Sequence, residues 1–168
     1  MAELYQGEKL SPSLLDRLTD YEPESRFESP DNRSLSVDKL RTLVLRDLEW
    51  LFNTVHMEST QDLSEFPEVE QSTLNYGVPD MAGHTASSLP LAEMEKRLRA
   101  AILTYEPRLI EDTVKVSVIP EKDAHGHHSV AFEIHAQLWC QPVPVRMTLR
   151  TDIDLDMGTV TVAETETE

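Results

Sequence analysis

Apolar residues recur at three- and four-residue spacing over 36–55, where Val37, Leu40, Val44, Leu48, Leu51 and Val55 share one face and Leu45 and Phe52 widen it. The spacing predicts an amphipathic helix capped by Ser34 or Ser36, with Arg46, Asp47 and Glu49 largely off the buried stripe. A second stripe runs through Leu91, Met94, Leu98, Ala101, Ile102 and Tyr105, with Ser87 or Ser88 as cap and Pro90 in the first turn. Two shorter helices are expected. In one, Ser11 caps, Pro12 opens the helix, and Leu14, Leu15 and Leu18 line up on one side. The other covers 65–74, with Pro67 near its start, and leads into a Gly- and Pro-bearing turn at 75–80.

Beyond residue 113 the period falls to two. Val114, Val116 and Val118 alternate with Lys115 and Ser117. Val130, Phe132, Ile134, Ala136 and Leu138 alternate with Ala131, Glu133, His135 and Gln137. Val145, Met147 and Leu149 alternate with Arg146, Thr148 and Arg150, and Val160 and Val162 follow a turn at Asp156-Met157-Gly158. Such alternation predicts a sheet with one buried face. Helices first and strands later give an α+β fold: N-terminal helices packed on a small C-terminal sheet, antiparallel or mixed. The chain divides into a docking helix and linker over 1–33, an α+β domain over 34–163, and an acidic tail over 164–168. Pro142 and Pro144 flank the strand at 145–151 and mark it as an edge or a strand start, and an open edge can accept a donated strand.

Charge narrows the function classes. Against 15 Lys and Arg stand 31 Asp and Glu, a net charge of -16, which argues against nucleic acid and anionic membrane surfaces and favours basic partners. Cys140 is the single cysteine, so no intramolecular disulfide is possible, which fits a reducing compartment. The first ten residues do not read as a secretory signal, and no stretch is apolar enough for direct membrane insertion, so a cytoplasmic protein is expected.

Candidate chemistry is sparse. Glu106-Pro107-Arg108 stands where the second long helix must stop, because proline cannot continue it. Opposite charges across such a turn ordinarily form an internal salt bridge; the alternative is contact with a partner. The Leu14, Leu15 and Leu18 helix either folds back on its own domain or docks in a partner groove. Tyr76, beside the glycine of a turn, suits packing or an interface. His125-Gly126-His127-His128, with Asp123 nearby, reads as a solvated loop without a complete ligand set for a metal. Glu49 beside Trp50 superficially resembles a carboxyl held against an aromatic surface, but nothing pairs it with a second carboxylate of different protonation.

Several segments together resemble the TssE family of type VI secretion systems, similar to the small baseplate wedge subunit of contractile phage tails and long labelled lysozyme-like. They are Ser13-Leu14-Leu15-Asp16-Arg17-Leu18, Arg46-Asp47-Leu48-Glu49-Trp50-Leu51-Phe52-Asn53-Thr54, Leu74-Asn75-Tyr76-Gly77-Val78-Pro79-Asp80, Glu106-Pro107-Arg108-Leu109, and the strands ending in Asp156-Met157-Gly158-Thr159-Val160. The resemblance implies a structural subunit without catalysis or cofactor, sitting in the cytoplasmic baseplate docked at the inner membrane complex. It implies binding to TssF and TssG in the wedge, contact with TssK and the sheath subunits TssB and TssC, and a part in starting the sheath. Glu106, Pro107 and Arg108, the family's signature, become partner-binding residues, together with Leu14, Leu15, Asp16, Arg17, Leu18 and Tyr76. The alternatives are a lysozyme-like glycan hydrolase, or the equivalent wedge protein of a phage tail or other contractile injection system.

Overall fold

A computed structural model describes residues 13–19, 23–24, 36–85, 88–119, 129–140 and 143–165. Ser11, Pro12, Ser34, Ser87, Pro142, the histidine-bearing loop, nearly all of the expected linker and residues 166–168 lie outside them.

The helices are α1 (Leu14–Leu18), α2 (Val37–Phe52), α3 (Pro67–Glu70) and α4 (Leu91–Tyr105). The strands β1 (Lys115–Ile119), β2 (Ser129–Leu138), β3 (Val145–Asp154) and β4 (Thr159–Glu164) follow and form one sheet in the order β1-β2-β3-β4. All three pairings are antiparallel, so the sheet is a simple meander. The register places Val118, Phe132, Thr151 and Val162 side by side across the four strands, on the same face as Ile134 and Leu149. That face is buried, and α2 and α4 cover it, α2 above β4 and α4 above β1. The sheet's other face carries ion pairs such as Arg150 with Asp152 at 2.8 Å. Ala131 lies on that outer face yet is buried, a small side chain between Ile119 and Asp152 on the neighbouring strands.

Several elements depart from expectation for local reasons. Ser36 does cap α2, its Oγ accepting from the Lys39 N–H at 3.2 Å. The helix ends at Phe52 rather than 55, because the Asn53 side chain both donates to the Val160 carbonyl (2.7 Å) and accepts its N–H (2.9 Å). Val55 therefore leaves the stripe and is exposed, while Leu43 joins the core. The helix expected over 65–74 divides into α3 and a 3-10 turn at Thr73–Asn75. Ser72 Oγ donates to the Val69 carbonyl and accepts from the Leu74 N–H, a local alternative to the helical ladder. Pro67 opens α3 as expected. Ser88 does not cap α4: its hydroxyl bonds both N–H and C=O of Thr85, and Pro90 takes the cap position.

The strand after Pro144 is not an edge: β3 pairs with β2 on one side and β4 on the other. Glu164 belongs to β4, and Thr165 N–H still bonds the Thr148 carbonyl at 2.8 Å, so pairing extends into the expected acidic tail. At the β3–β4 turn, Asp154 Oδ1 accepts from the N–H groups of Asp156 and Met157 and Gly158 adopts φ 66°, the expected turn chemistry.

Candidate functional site

The site starts at the end of α4. The Glu106 N–H closes the last helical turn on the Ile102 carbonyl, and Pro107 prevents another. The chain then meets the end of β2: Arg108 C=O accepts from the Trp139 N–H at 2.8 Å, and Leu109 bridges Leu138. Arg108 is thus pinned between helix and sheet, and its side chain turns back over α4. Its Nε donates to Glu106 Oε1 at 2.7 Å, its Nη2 to Oε2 at 2.5 Å, and its own backbone N–H to Oε1 at 3.1 Å. Glu106 is only 3% exposed.

The same Arg108 Nη2 donates to Asp47 Oδ2 of α2 at 2.5 Å, across 61 residues of sequence. Asp47 Oδ1 accepts from Arg46 Nε (2.8 Å) and Nη2 (2.6 Å), and the Arg46 guanidinium lies 4.7 Å above the Trp50 ring. Arg46 Nη2 then faces Asp16 Oδ1 of α1 at 2.9 Å, an ion pair without a well-aligned hydrogen bond. Ser13 closes the series. Its Oγ donates to Asp16 Oδ2 at 2.6 Å and caps α1. Charges alternate along the whole path: Asp16, Arg46, Asp47, Arg108, Glu106.

Burial alone would lower the affinity of the Arg108 guanidinium for its proton; Glu106 and Asp47 outweigh it and hold its pKa above the ordinary arginine value. Arg46 is raised in the same way, burial being outweighed by Asp47 and Asp16. For Asp16, burial pushes the pKa up, but the bond from Ser13 and the close charges of Arg46 and Arg108 leave it below the ordinary aspartate value. Burial raises Tyr76, with Asp47, Glu106 and Tyr105 adding to the effect.

Alongside this network runs an open cleft of about 470 Å³. Leu15 and Ser13 of α1 form one wall, Leu48, Trp50 and Leu51 of α2 another, and Tyr76, Tyr105 and Pro107 the third. Tyr76 and Tyr105 pack edge to face with centroids 5.1 Å apart, and Tyr105 Oη donates to the Ser72 carbonyl at 2.9 Å. Gly77 at φ 132° lets the chain turn beneath Tyr76, where Val78 forms a parallel bridge with Val55. Asn75 is buried nearby and ties Glu58 N–H to the Glu70 carbonyl.

Of the residues expected to bind partners, Glu106, Pro107, Arg108, Leu15, Asp16 and Tyr76 come together at this cleft and network. Leu14, Arg17 and Leu18 do not; they occupy the exposed side of α1, which buries no residue. Glu106 and Arg108 meet each other and Asp47 within the chain, the ordinary internal pairing. Sequence reasoning set Arg46 and Asp47 largely off the buried stripe, whereas they are the centre of the network. Their signal was an Arg-Asp pair with Trp50 one turn on, within a segment already carrying the resemblance. Trp50 carries the Arg46 guanidinium on its ring, not the Glu49 carboxylate.

Among the described residues no group of His, Cys, Asp and Glu could hold a metal ion, and no helix is long and apolar enough to cross a membrane. No curated protein and no solved structure matches the chain. The model of one family, described as baseplate wedge protein gp25, matches residues 38–143, a span holding Arg46, Asp47, Glu106 and Arg108 but not α1, β3 or β4. With more than half of its 168 residues matched, and with the charged network of α2 and the α4 turn inside the match, the chain belongs to the gp25 baseplate wedge family.

Proposed function

We propose that the protein is a structural subunit of a type VI secretion baseplate that binds TssF and TssG in the wedge and helps start the contractile sheath. Family membership carries this reading and by itself supports a structural baseplate role in a contractile system. The resemblance to TssE, through the Glu106-Pro107-Arg108 signature, narrows it to type VI secretion. The equivalent wedge subunit of a phage tail is the second reading, since the family match favours it equally. In the first reading the protein works without a cofactor on the cytoplasmic side, in a baseplate docked at the inner membrane complex, with TssK also in contact. A net charge of -16 suits docking on basic partner surfaces. Support for a non-catalytic role comes from the cleft, where Asp47 and Glu106 both accept hydrogen bonds from Arg108 rather than standing as a separate acid and nucleophile.

Co-purification with co-expressed TssF and TssG tests the reading. The double variant Glu106→Gln, Arg108→Met keeps an acceptor for the backbone N–H of position 108 and removes the guanidinium without leaving an unpaired buried carboxylate at 106, so it is the variant expected to stay folded. The expected result is a stable complex with the wild type and loss of most of it, tenfold or more, with the double variant at unchanged circular dichroism. Retention by the double variant overturns docking through the turn. No complex with the wild type overturns the type VI assignment in favour of a phage-type wedge.

Sheath initiation through a donated strand points to β4. At β1 α4 engages part of the edge: Val118 N–H bonds Glu95 Oε1 at 2.8 Å, and the Val114 carbonyl just before the strand accepts from Arg99 Nε at 3.0 Å, leaving Val116 as the outward residue between them. At β4 Asn53 takes both outward groups of Val160. By the alternation of an antiparallel ladder, Val162 and Glu164 turn theirs outward too, without a partner among the described residues. Glu164→Pro removes an outward N–H and leaves the β3–β4 ladder intact. Sheath assembly from TssB and TssC is expected to stop while TssF and TssG binding persists; unaffected assembly would exclude this edge.

A further inference from the structure

We propose that the Arg46 cradle, with its Trp50 wall, is a receptor for a carboxylate carried on a short amphipathic helix, and that α1 fills it as the chain's own ligand until a partner helix of the same chemistry takes its place. The inference goes beyond the baseplate reading and is tested on the isolated chain, so failure of TssF and TssG binding leaves it untouched.

Three observations carry it. First, α1 is five residues long and its three leucines stay largely exposed, so neither helix propensity nor apolar burial holds it in place. Its attachment is Asp16 on Arg46, with Ser13 and Leu15 against the cleft. Second, that attachment is built for a carboxylate and is imperfect. The Asp16 side chain is 5% exposed, and Arg46 reaches Oδ1 at 2.9 Å without good alignment while giving its best bonds to Asp47. A well-placed rival carboxylate loses nothing by comparison. Third, the cradle's own contacts do not involve α1. Arg46 is bonded to Asp47 and seated on Trp50, and Asp47 is bonded to Arg108, all through residues of α2 and the α4 turn. Removing Asp16 leaves two guanidinium groups against two carboxylates, a locally neutral site on a chain of net charge -16, with the Arg46 Nη2 that faced Asp16 left open to another carboxylate.

The observed seat of α1 defines the occupant: a helix capped by a hydroxyl, with a carboxylate three residues on and leucine beside it. Residues 19–36 separate α1 from α2, and their count bounds the reach of a released α1 at about 60 Å, at ~3.5 Å per residue.

The test uses the full chain, its Asp16→Asn variant, and a blocked synthetic peptide of residues 11–20, followed through the Trp50 indole N–H resonance assigned with Trp139→Phe. Asp16→Asn is expected to shift the Trp50 signal, and millimolar peptide to return it to the wild-type position. A peptide carrying Asp16→Asn should bind about tenfold more weakly. In the wild-type chain, where peptide and α1 give Trp50 the same surroundings, exchange is read from the Arg17 backbone amide resonance of the displaced α1, and it should need about tenfold more peptide than the variant does, because linked α1 competes at its effective concentration. An unchanged Trp50 signal in the variant, or equal binding of both peptides, overturns the proposal. A wild-type signal that moves with protein concentration overturns it too, by placing a second copy's α1 in the cradle.

Discussion

Arg108→Ala lowers the free energy of unfolding by about 3–5 kcal/mol, the range expected when one partner of a buried ion pair is removed. Glu106 is 3% exposed, and the three hydrogen bonds to its carboxylate all come from Arg108, two from the guanidinium and one from the backbone. Alanine leaves only the backbone donor for a carboxylate that water barely reaches. Asp47 suffers less, because its side chain is 24% exposed and Arg46 stays bonded to it. The double variant Glu106→Gln, Arg108→Met removes both charges of the pair and is expected to cost less, about 1–3 kcal/mol, the penalty of a buried glutamine amide left without an acceptor rather than of an unpaired buried charge. Arg108→Lys should fall between, as an ammonium cannot serve Glu106 and Asp47 in the same fork geometry. Urea denaturation of the three variants separates these outcomes. A loss below about 1 kcal/mol for Arg108→Ala would mean that water reaches Glu106 and that the pair is an ordinary surface contact. A partner assay resting on Arg108→Ala alone would confuse docking with stability, which is why the double variant is the one to use.

Gly77→Ala is the second large effect, expected at about 2–6 kcal/mol: roughly 1–3 from forcing a side chain to φ 132° and 1–3 from overpacking. A Cβ there would press on the Thr54 carbonyl oxygen and lie 2.8 Å from the His56 backbone nitrogen. Those are the groups that bond Val78, through Val78 N–H to Thr54 at 2.8 Å and His56 N–H to Val78 at 3.1 Å. The substitution therefore opens the bridge that seats Tyr76 against Tyr105, and the cleft wall loosens with it. A chain of this size should lose roughly 10 °C in Tm. Gly83→Ala is the control. It has φ 76° with nothing within 4 Å of the added Cβ, so only backbone strain of about 1 kcal/mol applies. Equal effects at the two positions would show that crowding at the Val55–Val78 bridge is not what holds Gly77.

The parts of the site legible beforehand were those written in local chemistry. Glu106-Pro107-Arg108 announced a turn with facing charges because proline stops a helix wherever it stands. Leu14, Leu15 and Leu18 announced a helix too short to stand alone. Asp47 was not legible as their connection, since a charged residue beside a buried stripe looks the same whether it meets water or an arginine 61 residues away. Val55, Ser72 and Ser88 were misread for one shared reason: side-chain hydrogen bonds to backbone groups, from Asn53, Ser72 and Ser88 themselves, redirected the chain at helix ends where propensity is weakest.

The order of helices and strands, the period of each, the buried face of the sheet and the halt at Pro107 follow from the sequence by itself, because periodicity and proline act within one element. Which strands became edges, whether Glu106 faced a partner or its own arginine, and how α1 attached were decided by tertiary structure. Each of those depends on atoms distant along the chain: β4 on the outside of β3, Asp47 of α2 under Arg108, and Arg46 in front of Asp16. Long-range charge pairing leaves no period in a sequence, so only the folded chain brings its members within hydrogen-bonding distance.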